Sequence, residues 1–186
     1  MKPLAEEESD NLQRGVNLYQ NGLYRDAARE WQKALGLNPK HHMLRVNLAY
    51  VLKQLGDTEA AHATLEAGTQ YRDAPAELFS NYANILCDSG QYIKALQAAE
   101  KAIKRNPKLS AAWANKAMAL TRMNAFQDGI HAAERCIKIA PQCAEAHLAL
   151  GACLHGMEDY NRAELHARQA IALNLSLIHI SEPTRP

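Results

Sequence analysis

The residues best suited to catalysis or metal binding in this sequence are its eight histidines and four cysteines. His147 and His155 lie eight residues apart in one predicted helix, which is too far for them to share a metal ion. A zinc site needs three or four converging ligands, and neither they nor the adjacent His41 and His42 belong to such a set. The sequence also lacks GxSxG, HExxH, Walker and GxGxxG motifs. We therefore expect a chain that is not an enzyme as it stands, with no metal site and no cofactor.

Carboxamide side chains form a second pattern, which recurs every 34 residues. The recurring positions hold Gln13, Asn47, Asn81, Asn115 and then Ala149. A carboxamide offers hydrogen-bond donors and an acceptor, so a row of them can hold the backbone of an extended peptide without reading its sequence. The alternative is that these side chains bond neighbouring helices and serve packing.

Apolar residues follow the same period, which indicates the elements that position this row. In the segment 76–109, small and large apolar residues recur at spacings of three and four on both sides of Gly90. That spacing is the period of an amphipathic helix, and Pro107 ends the second run. Two helices of about 14 residues joined by a glycine-containing turn form a helical hairpin.

The hairpin pattern occurs five times without a break, from Glu8 to Asn174. The predicted units are 8–41, 42–75, 76–109, 110–143 and 144–174, and residues 1–7 form an N-terminal lead-in. A period of 34 residues with this alternation resembles the tetratricopeptide repeat (TPR) family. The resemblance implies an all-α fold, a right-handed superhelical solenoid of five TPR helical hairpins. In such an array the four cysteines are expected to be small packing residues, not disulfides.

Three departures from the pattern mark individual repeats. Gly68 replaces an expected alanine, and glycine costs about 1 kcal/mol against alanine in a helix, so we expect the second repeat to be the softest internal unit. Asn124 takes the usual glycine place in the fourth turn, because asparagine tolerates left-handed backbone angles. Glu158 takes it in the fifth, whose turn is therefore expected to differ.

The pattern stops abruptly after Asn174. The remaining residues, LSLIHISEPTRP, resemble the translation of a transposase adapter used in preparing sequencing libraries. We interpret Leu175–Pro186 as an artefactual tail that makes few contacts. The natural protein is then expected to continue beyond Asn174.

In TPR arrays the first helix of each hairpin lines a concave groove, so the resemblance places the carboxamide row there. The row is similar to the asparagine ladder in the repeat region of protein O-linked N-acetylglucosamine transferases, although Ala149 departs from it. Neighbouring groove positions supply Tyr50 and Met118 as apolar anchors, with ordinary packing as the alternative. The expected peptide-binding residues are Gln13, Asn47, Tyr50, Asn81, Asn84, Asn115 and Met118.

A different TPR binding mode can be tested on the same positions. TPR domains that bind the C-termini of chaperones use a two-carboxylate clamp of lysine, arginine and asparagine on three successive first helices. Starting at Ser80 and Asn84 leads to Asn115 and then to Glu145 and Ala149, where cations are required. We therefore expect no such clamp in this chain.

Charge and hydropathy exclude some classes of partner and indicate the cellular compartment. The net charge of +1 provides no electrostatic footprint for nucleic acid or an anionic membrane. No apolar run reaches membrane-spanning length, and the acidic start MKPLAEEESD is unlike a signal peptide. We expect a cytoplasmic protein that binds neither nucleic acid nor membranes.

The predicted function is a scaffold that binds an extended peptide or a partner protein in the concave groove. One alternative is the substrate-recruiting N-terminal arm of a truncated enzyme, such as a protein glycosyltransferase. The other is an assembly or oligomerisation module that uses its convex face. We also expect self-association through the uncapped C-terminal end, where Ile171 and Leu173 have nothing after them to cover them.

Overall fold

The structure, a computed structural model, describes the backbone of residues 3–181 and the side chains of residues 3–174. Within this range the chain is entirely helical apart from short connections, which confirms the predicted all-α fold. Its ten helices are α1 (Leu4–Gln20), α2 (Tyr24–Leu37), α3 (His42–Gln54), α4 (Thr58–Thr69), α5 (Ala76–Asp88), α6 (Tyr92–Arg105), α7 (Ser110–Arg122), α8 (Phe126–Ile139), α9 (Ala144–Gly156) and α10 (Tyr160–Ser181).

The five turns inside the hairpins share one backbone conformation. Gly22, Gly56 and Gly90 have positive φ, and so do Asn124 (59°) and Glu158 (65°). The residue after each donates its N–H to the carbonyl of a leucine five residues earlier, the bond that closes a Schellman turn. These leucines are Leu18, Leu52, Leu86, Leu120 and Leu154. The expectation that the fifth turn differs is wrong, because this bond imposes the left-handed conformation even on a glutamate.

The packing of the hairpins defines an inner and an outer side. The first helices of hairpins two to five contact one another in the succession α3, α5, α7 and α9. In the described range the second helices do not contact one another, and α1 packs against α2 alone. Because the first helices lie closer together, the array curves with them on its inner side. This is the predicted solenoid of paired helices.

Small residues allow the two helices of a hairpin to approach closely. Ala27, Ala61 and Ala95 are fully buried at the same repeat position. At Gly68, an added Cβ would lie 2.5 Å from Cδ1 of Leu78 and 3.0 Å from Cδ of Arg45. The glycine that sequence reasoning treated as a weak point is therefore required by packing. All four cysteines are free.

Three of the loops between hairpins are closed by a side chain that the sequence analysis did not single out. Arg45, Trp113 and His147 occupy the same repeat position, and each bonds the carbonyl oxygen of a proline six residues earlier. The nitrogen-to-oxygen distances are 2.7, 2.9 and 3.1 Å. These bonds fix the start of each first helix on the preceding loop, although the three residue types share only an N–H group.

The first and last helices differ from their predicted bounds. α1 begins at Leu4, within the predicted lead-in of residues 1–7, since Glu6 and Glu7 in its first turn favour a helix N-terminus. α10 continues past Leu173 as far as Ser181. The prediction that Leu175–Pro186 makes few contacts lies outside the residues whose side chains are described. No helix of the described part is long and apolar enough to cross a bilayer.

The outer face of α10 is expected to mediate self-association. Ile171 is 59% exposed, whereas Leu35, Ile103 and Ile137 at the same repeat position pack against the core. Sedimentation at rising concentration should show weak association that Ile171→Glu removes, because it places a charge on the apolar contact. Ile93→Glu, at a similarly exposed isoleucine on α6, is the control. A strict monomer at every concentration would contradict this prediction.

Candidate functional site

Two adjacent hollows lie along the inner side of the array. The first, of about 240 Å³, lies between α3 and α5, with α4 beneath it. The second, of about 360 Å³, lies between α5 and α7 and reaches the start of α9. Both are lined by Asn81 and Asn84 of α5, so they adjoin along that helix and form a groove across the first helices. We call them the first and second groove hollows.

The first groove hollow is mainly apolar. Its lining includes Val46, Ala49, Leu65 and Ile85, and Tyr50 stands beside them with 52% of its surface exposed. Aromatic side chains that are both apolar and accessible are enriched at interface cores. This hollow therefore suits an apolar side chain of a ligand, with Tyr50 as its flank.

The ammonium group of Lys53 in the first groove hollow is already paired with a carboxylate. Lys53 Nζ donates to Asn84 Oδ1 at 2.8 Å and lies 2.5 Å from Asp88 Oδ2. The bond leaves the amide N–H groups of Asn84 free to face a ligand, because a carboxamide carries a separate donor and acceptor. An ammonium held in this way is poorly placed to bind a ligand carboxylate.

The members of the carboxamide row differ in what they bond. Asn115 Nδ2 donates to the backbone oxygen of Ser80 at 2.8 Å and to its hydroxyl at 3.2 Å, so it links α7 to α5. Asn81 Nδ2 donates to the carbonyl of Glu77 in its own helix. Asn47 is exposed on α3. The bonds of Asn81 and Asn115 use their amide nitrogens, which leaves both Oδ1 atoms as acceptors for a ligand.

The structure brings four of the predicted site residues together in the groove. Tyr50, Asn81, Asn84 and Asn115 line its two hollows. Gln13, Asn47 and Met118 line neither of them. Gln13 lies on α1, which does not touch α3, and its Nε2 donates to Asn17. The second groove hollow is also lined by Ser80, Ser110 and Cys143, which sequence reasoning did not assign to the site. At the repeat position of each, the residue type changes from one repeat to the next.

Cys143 places a thiol in the second groove hollow. It is half-buried immediately before α9. The neighbouring thiol of Cys136 lowers the pKa of Cys143, and this effect exceeds the opposing effects of burial and of Glu145, to which the Cys143 thiol donates a hydrogen bond. By contrast, burial raises the pKa of Cys87 to about 11. Since the thiolate is the nucleophile, Cys143 is expected to react with alkylating reagents before Cys87 does. Alkylation of Cys143 can therefore be used to follow access to the groove.

A histidine pair joins the last two helices. The rings of His147 and His166 stack with centroids 5.4 Å apart, and their Nδ1 atoms lie 3.1 Å apart. Nε2 of His147 donates to the Pro141 carbonyl, so its bare Nδ1 accepts from His166. Burial lowers the pKa of His166, with Gln169, His147, Arg162 and Glu134 as its other polar neighbours. Among the described residues, no three or more His, Cys, Asp or Glu side chains are grouped so that they could hold a metal ion.

The stability of the protein is expected to fall as the pH is lowered through the titration of His166. The folded-state pKa of His166 lies below the unfolded value, so the unfolded chain binds more protons. The contribution is complete above the unfolded pKa of about 6.5 and is lost as the pH falls through the folded pKa. Thermal unfolding at a series of pH values should show a shallower dependence for His166→Gln. His131→Gln, at an exposed histidine, should keep the wild-type slope, and an unchanged slope in both variants would disprove the assignment.

Comparison with protein families shows which family the chain belongs to. The tetratricopeptide repeat family matches residues 18–85, and the family described as Psidin, N-terminal TPR repeats region, matches residues 78–174. The second match alone covers more than half of the chain. The chain therefore belongs to the tetratricopeptide repeat family, whose members are protein-interaction modules, as the 34-residue period predicted.

Curated relatives are longer proteins. The chain is 31% identical over 112 residues to Hsp70-Hsp90 organizing protein 1 of Glycine max, which covers 60% of this chain and 20% of that protein. It is 26% identical over 163 residues to Protein O-mannosyl-transferase TMTC1 of Homo sapiens, which covers 86% of this chain and 18% of that protein. The chain thus spans about a fifth of the length of these relatives.

Solved structures confirm the fold. A crystal structure of MamA protein has a TM-score of 0.76 and 18% identity, with 98% of this chain and 100% of that chain covered. The structure of YrrB, described as a TPR protein with an unusual peptide-binding site, has a TM-score of 0.68 and 17% identity, with 88% and 84% covered. Similarity at this level of identity establishes the solenoid and nothing finer.

Proposed function

We propose that this chain is a scaffold that binds an extended peptide, or an extended segment of a partner protein, in the groove. The observation that carries the proposal is that the two groove hollows adjoin at Asn81 and Asn84. Neighbouring helices stand about 8–10 Å apart, and an extended chain advances about 3.3 Å per residue. Ligand side chains two or three residues apart therefore reach successive hollows.

We propose different tasks for the two hollows. The first groove hollow receives an apolar side chain beside Tyr50. The free amide N–H groups of Asn84 and the free Oδ1 atoms of Asn81 and Asn115 bond the ligand backbone, which carries one donor and one acceptor per residue. Asn47, exposed one helix away, extends this row, and Gln13 and Met118 extend the predicted site beyond the two hollows.

The ligand differs in chemistry from a chaperone-type C-terminus. Relatives of this chain include Hsp70-Hsp90 organizing proteins, but here Lys53 is paired with Asp88. Glu145 lines the second groove hollow, where a carboxylate would be repelled. We therefore propose an internal peptide segment and not a C-terminal carboxylate as the ligand.

Filling the second groove hollow tests the proposal. Peptides selected from a random dodecapeptide display library on the full chain are labelled with fluorescein and titrated by anisotropy. Ala111→Trp places an indole in this hollow from an exposed position and should abolish binding. Ala63→Trp, an exposed alanine on α4 outside both hollows, should bind like the wild type. Equal affinity of all three proteins would refute groove binding.

Protection of Cys143 gives an independent readout. A saturating amount of the selected peptide should slow alkylation of Cys143 by a maleimide, because this thiol lines the second groove hollow. Alkylation at Cys87 serves as the internal reference. Unchanged labelling of Cys143 in the presence of bound peptide would place the peptide elsewhere.

A second candidate function is favoured by the similarity to TMTC1, in which the match occupies 18% of an O-mannosyl-transferase. The array would then be the substrate-recruiting arm of a longer enzyme. Sequencing the gene beyond the codon for Asn174 decides between the two. A catalytic domain there would identify the array as the arm of an enzyme, and its absence would leave the free scaffold.

We further propose a cytoplasmic location, which agrees with four free thiols.

A further inference from the structure

Two more hollows lie on the outer side of the array, at equivalent places in successive hairpins. The first outer hollow, of about 250 Å³, lies between α4, α5 and α6. The second, of about 340 Å³, lies between α6, α7 and α8. Most positions that line the first outer hollow have an equivalent, 34 residues later, that lines the second. Phe79 in the first hollow, for example, corresponds to Trp113 in the second. The outer side therefore presents the same shape twice.

The two outer hollows differ in charge. Lys94 and Lys101 line the first, and the guanidinium of Arg105 lies 4.3 Å from the centroid of the Phe79 ring. Its one carboxylate, that of Glu66, accepts a hydrogen bond from Tyr82. In the second outer hollow Asp128 stands where the first has Lys94. The first is thus basic, and the second is close to neutral.

The cations of the first outer hollow are available to a ligand. Lys94 Nζ donates to the side chain of Gln91, and Arg105 Nη2 donates to the backbone oxygen of Arg72. Lys101 lies 5.9 Å from the Phe79 ring centroid. Across residues 3–174 none of the three has a carboxylate at ion-pair distance, and all three are exposed.

We propose that the first outer hollow binds an acidic segment of a partner protein, separately from the groove. Lys94, Lys101 and Arg105 follow one side of α6 over about 16 Å, the length of about five extended residues. An aspartate or glutamate of the segment enters between Lys94 and Lys101, and a neighbouring acidic residue meets Arg105.

The charges around α6 favour a narrow protein segment over an extended anionic surface. α4 carries Glu59 and Glu66, and α8 carries Asp128 and Glu134. Glu66 lines the first outer hollow together with Lys94 and Lys101, and Asp128 lines the second. These two carboxylates would repel a bilayer of acidic lipids or a nucleic acid backbone laid across α6. Phe79 is only 3% exposed, so it offers no surface on which a base could stack.

Charge-matched peptides test the site. A fluorescein-labelled dodecapeptide of alternating glutamate and glycine is titrated with the full chain at about 50 mM salt and again at about 300 mM. We expect saturable binding that weakens with salt, and no binding of the matching lysine–glycine peptide. The double variant Lys94→Asp/Lys101→Gln should weaken binding about tenfold, because two charge-assisted contacts are lost. Arg135→Gln, the equivalent cation of the second outer hollow, should leave affinity unchanged.

Other results would overturn the proposal. Absence of binding by the glutamate peptide would do so, as would equal affinity in the Lys94→Asp/Lys101→Gln and Arg135→Gln variants. Binding to phosphatidylserine vesicles or to single-stranded RNA without binding to the peptide would assign the patch to another partner class. Circular dichroism melts of each variant show whether the fold is retained, and Ala111→Trp should not alter the outcome at this site.

Discussion

Replacing Gly15 with alanine is expected to lower the free energy of unfolding by about 2–3 kcal/mol. The same replacement at Gly36 is expected to raise it by about 0.5–1 kcal/mol. Both glycines lie within helices of the first hairpin, so helix propensity alone favours alanine at both places. Equilibrium unfolding in urea measures both changes.

The opposite signs follow from what a new methyl group meets. A Cβ at Gly15 would lie 2.2 Å from Nε1 and 2.3 Å from Cδ1 of Trp31. That indole is rigid, only 4% exposed, and stacked on Tyr19 with centroids 5.8 Å apart. It also donates to the Leu12 carbonyl, so relief of the clash requires the helices to move apart.

Gly36 provides the matched control. Nothing lies within 4 Å of its added Cβ, so alanine there gains helix propensity without strain. A stabilising Gly15→Ala would show that Trp31 does not pack over this glycine. The emission of Trp31, one of two tryptophans in the chain, reports locally whether the indole has left its site.

Replacing Asn47, Asn81 and Asn115 together with alanine is expected to weaken peptide binding by about 1.5–4.5 kcal/mol if the effects add. The structure divides the expected costs. Asn115→Ala should also lower stability, because its amide bonds Ser80 on the neighbouring helix. Asn47→Ala and Asn81→Ala should leave the melting temperature nearly unchanged, because both side chains are exposed.

Thermal unfolding and peptide titration on the single and triple variants separate the two roles. Asn161→Ala, at an exposed asparagine on α10, controls for loss of a surface carboxamide. A large drop in melting temperature with unchanged affinity would show that the row serves packing alone. The assignment of the groove residues would then be wrong.

The repeating part of this molecule was predictable because each hairpin obeys the same local rules. The 34-residue period gave the helices and the positions of their turns, and it placed Asn124 in a left-handed conformation that the structure confirms. It misjudged Glu158, because residue type was weighed without the Schellman bond that holds the turn. Local pattern predicts where a turn falls better than it predicts which residues tolerate it.

The groove was less predictable because it depends on how separate hairpins stack. Sequence spacing placed Tyr50, Asn81, Asn84 and Asn115 on first helices but did not reveal that Lys53 reaches Asp88 of the next hairpin. The close approach of Trp31 to Gly15 likewise depends on the crossing of two helices and not on the period. Such contacts follow from three-dimensional packing, in which helix lengths and side-chain volumes act together.

The first helices of the array lie closer to one another than its second helices do. The inner edge of the array is held by direct contact between first helices, whereas in the described range the second helices at its outer edge are joined only through the first helix that lies between them. If a segment seated between α4 and α6 changes the distance between these helices, the curvature of the groove changes with it. Thermodynamic linkage then requires that the groove peptide and the acidic segment change each other's affinity by the same factor.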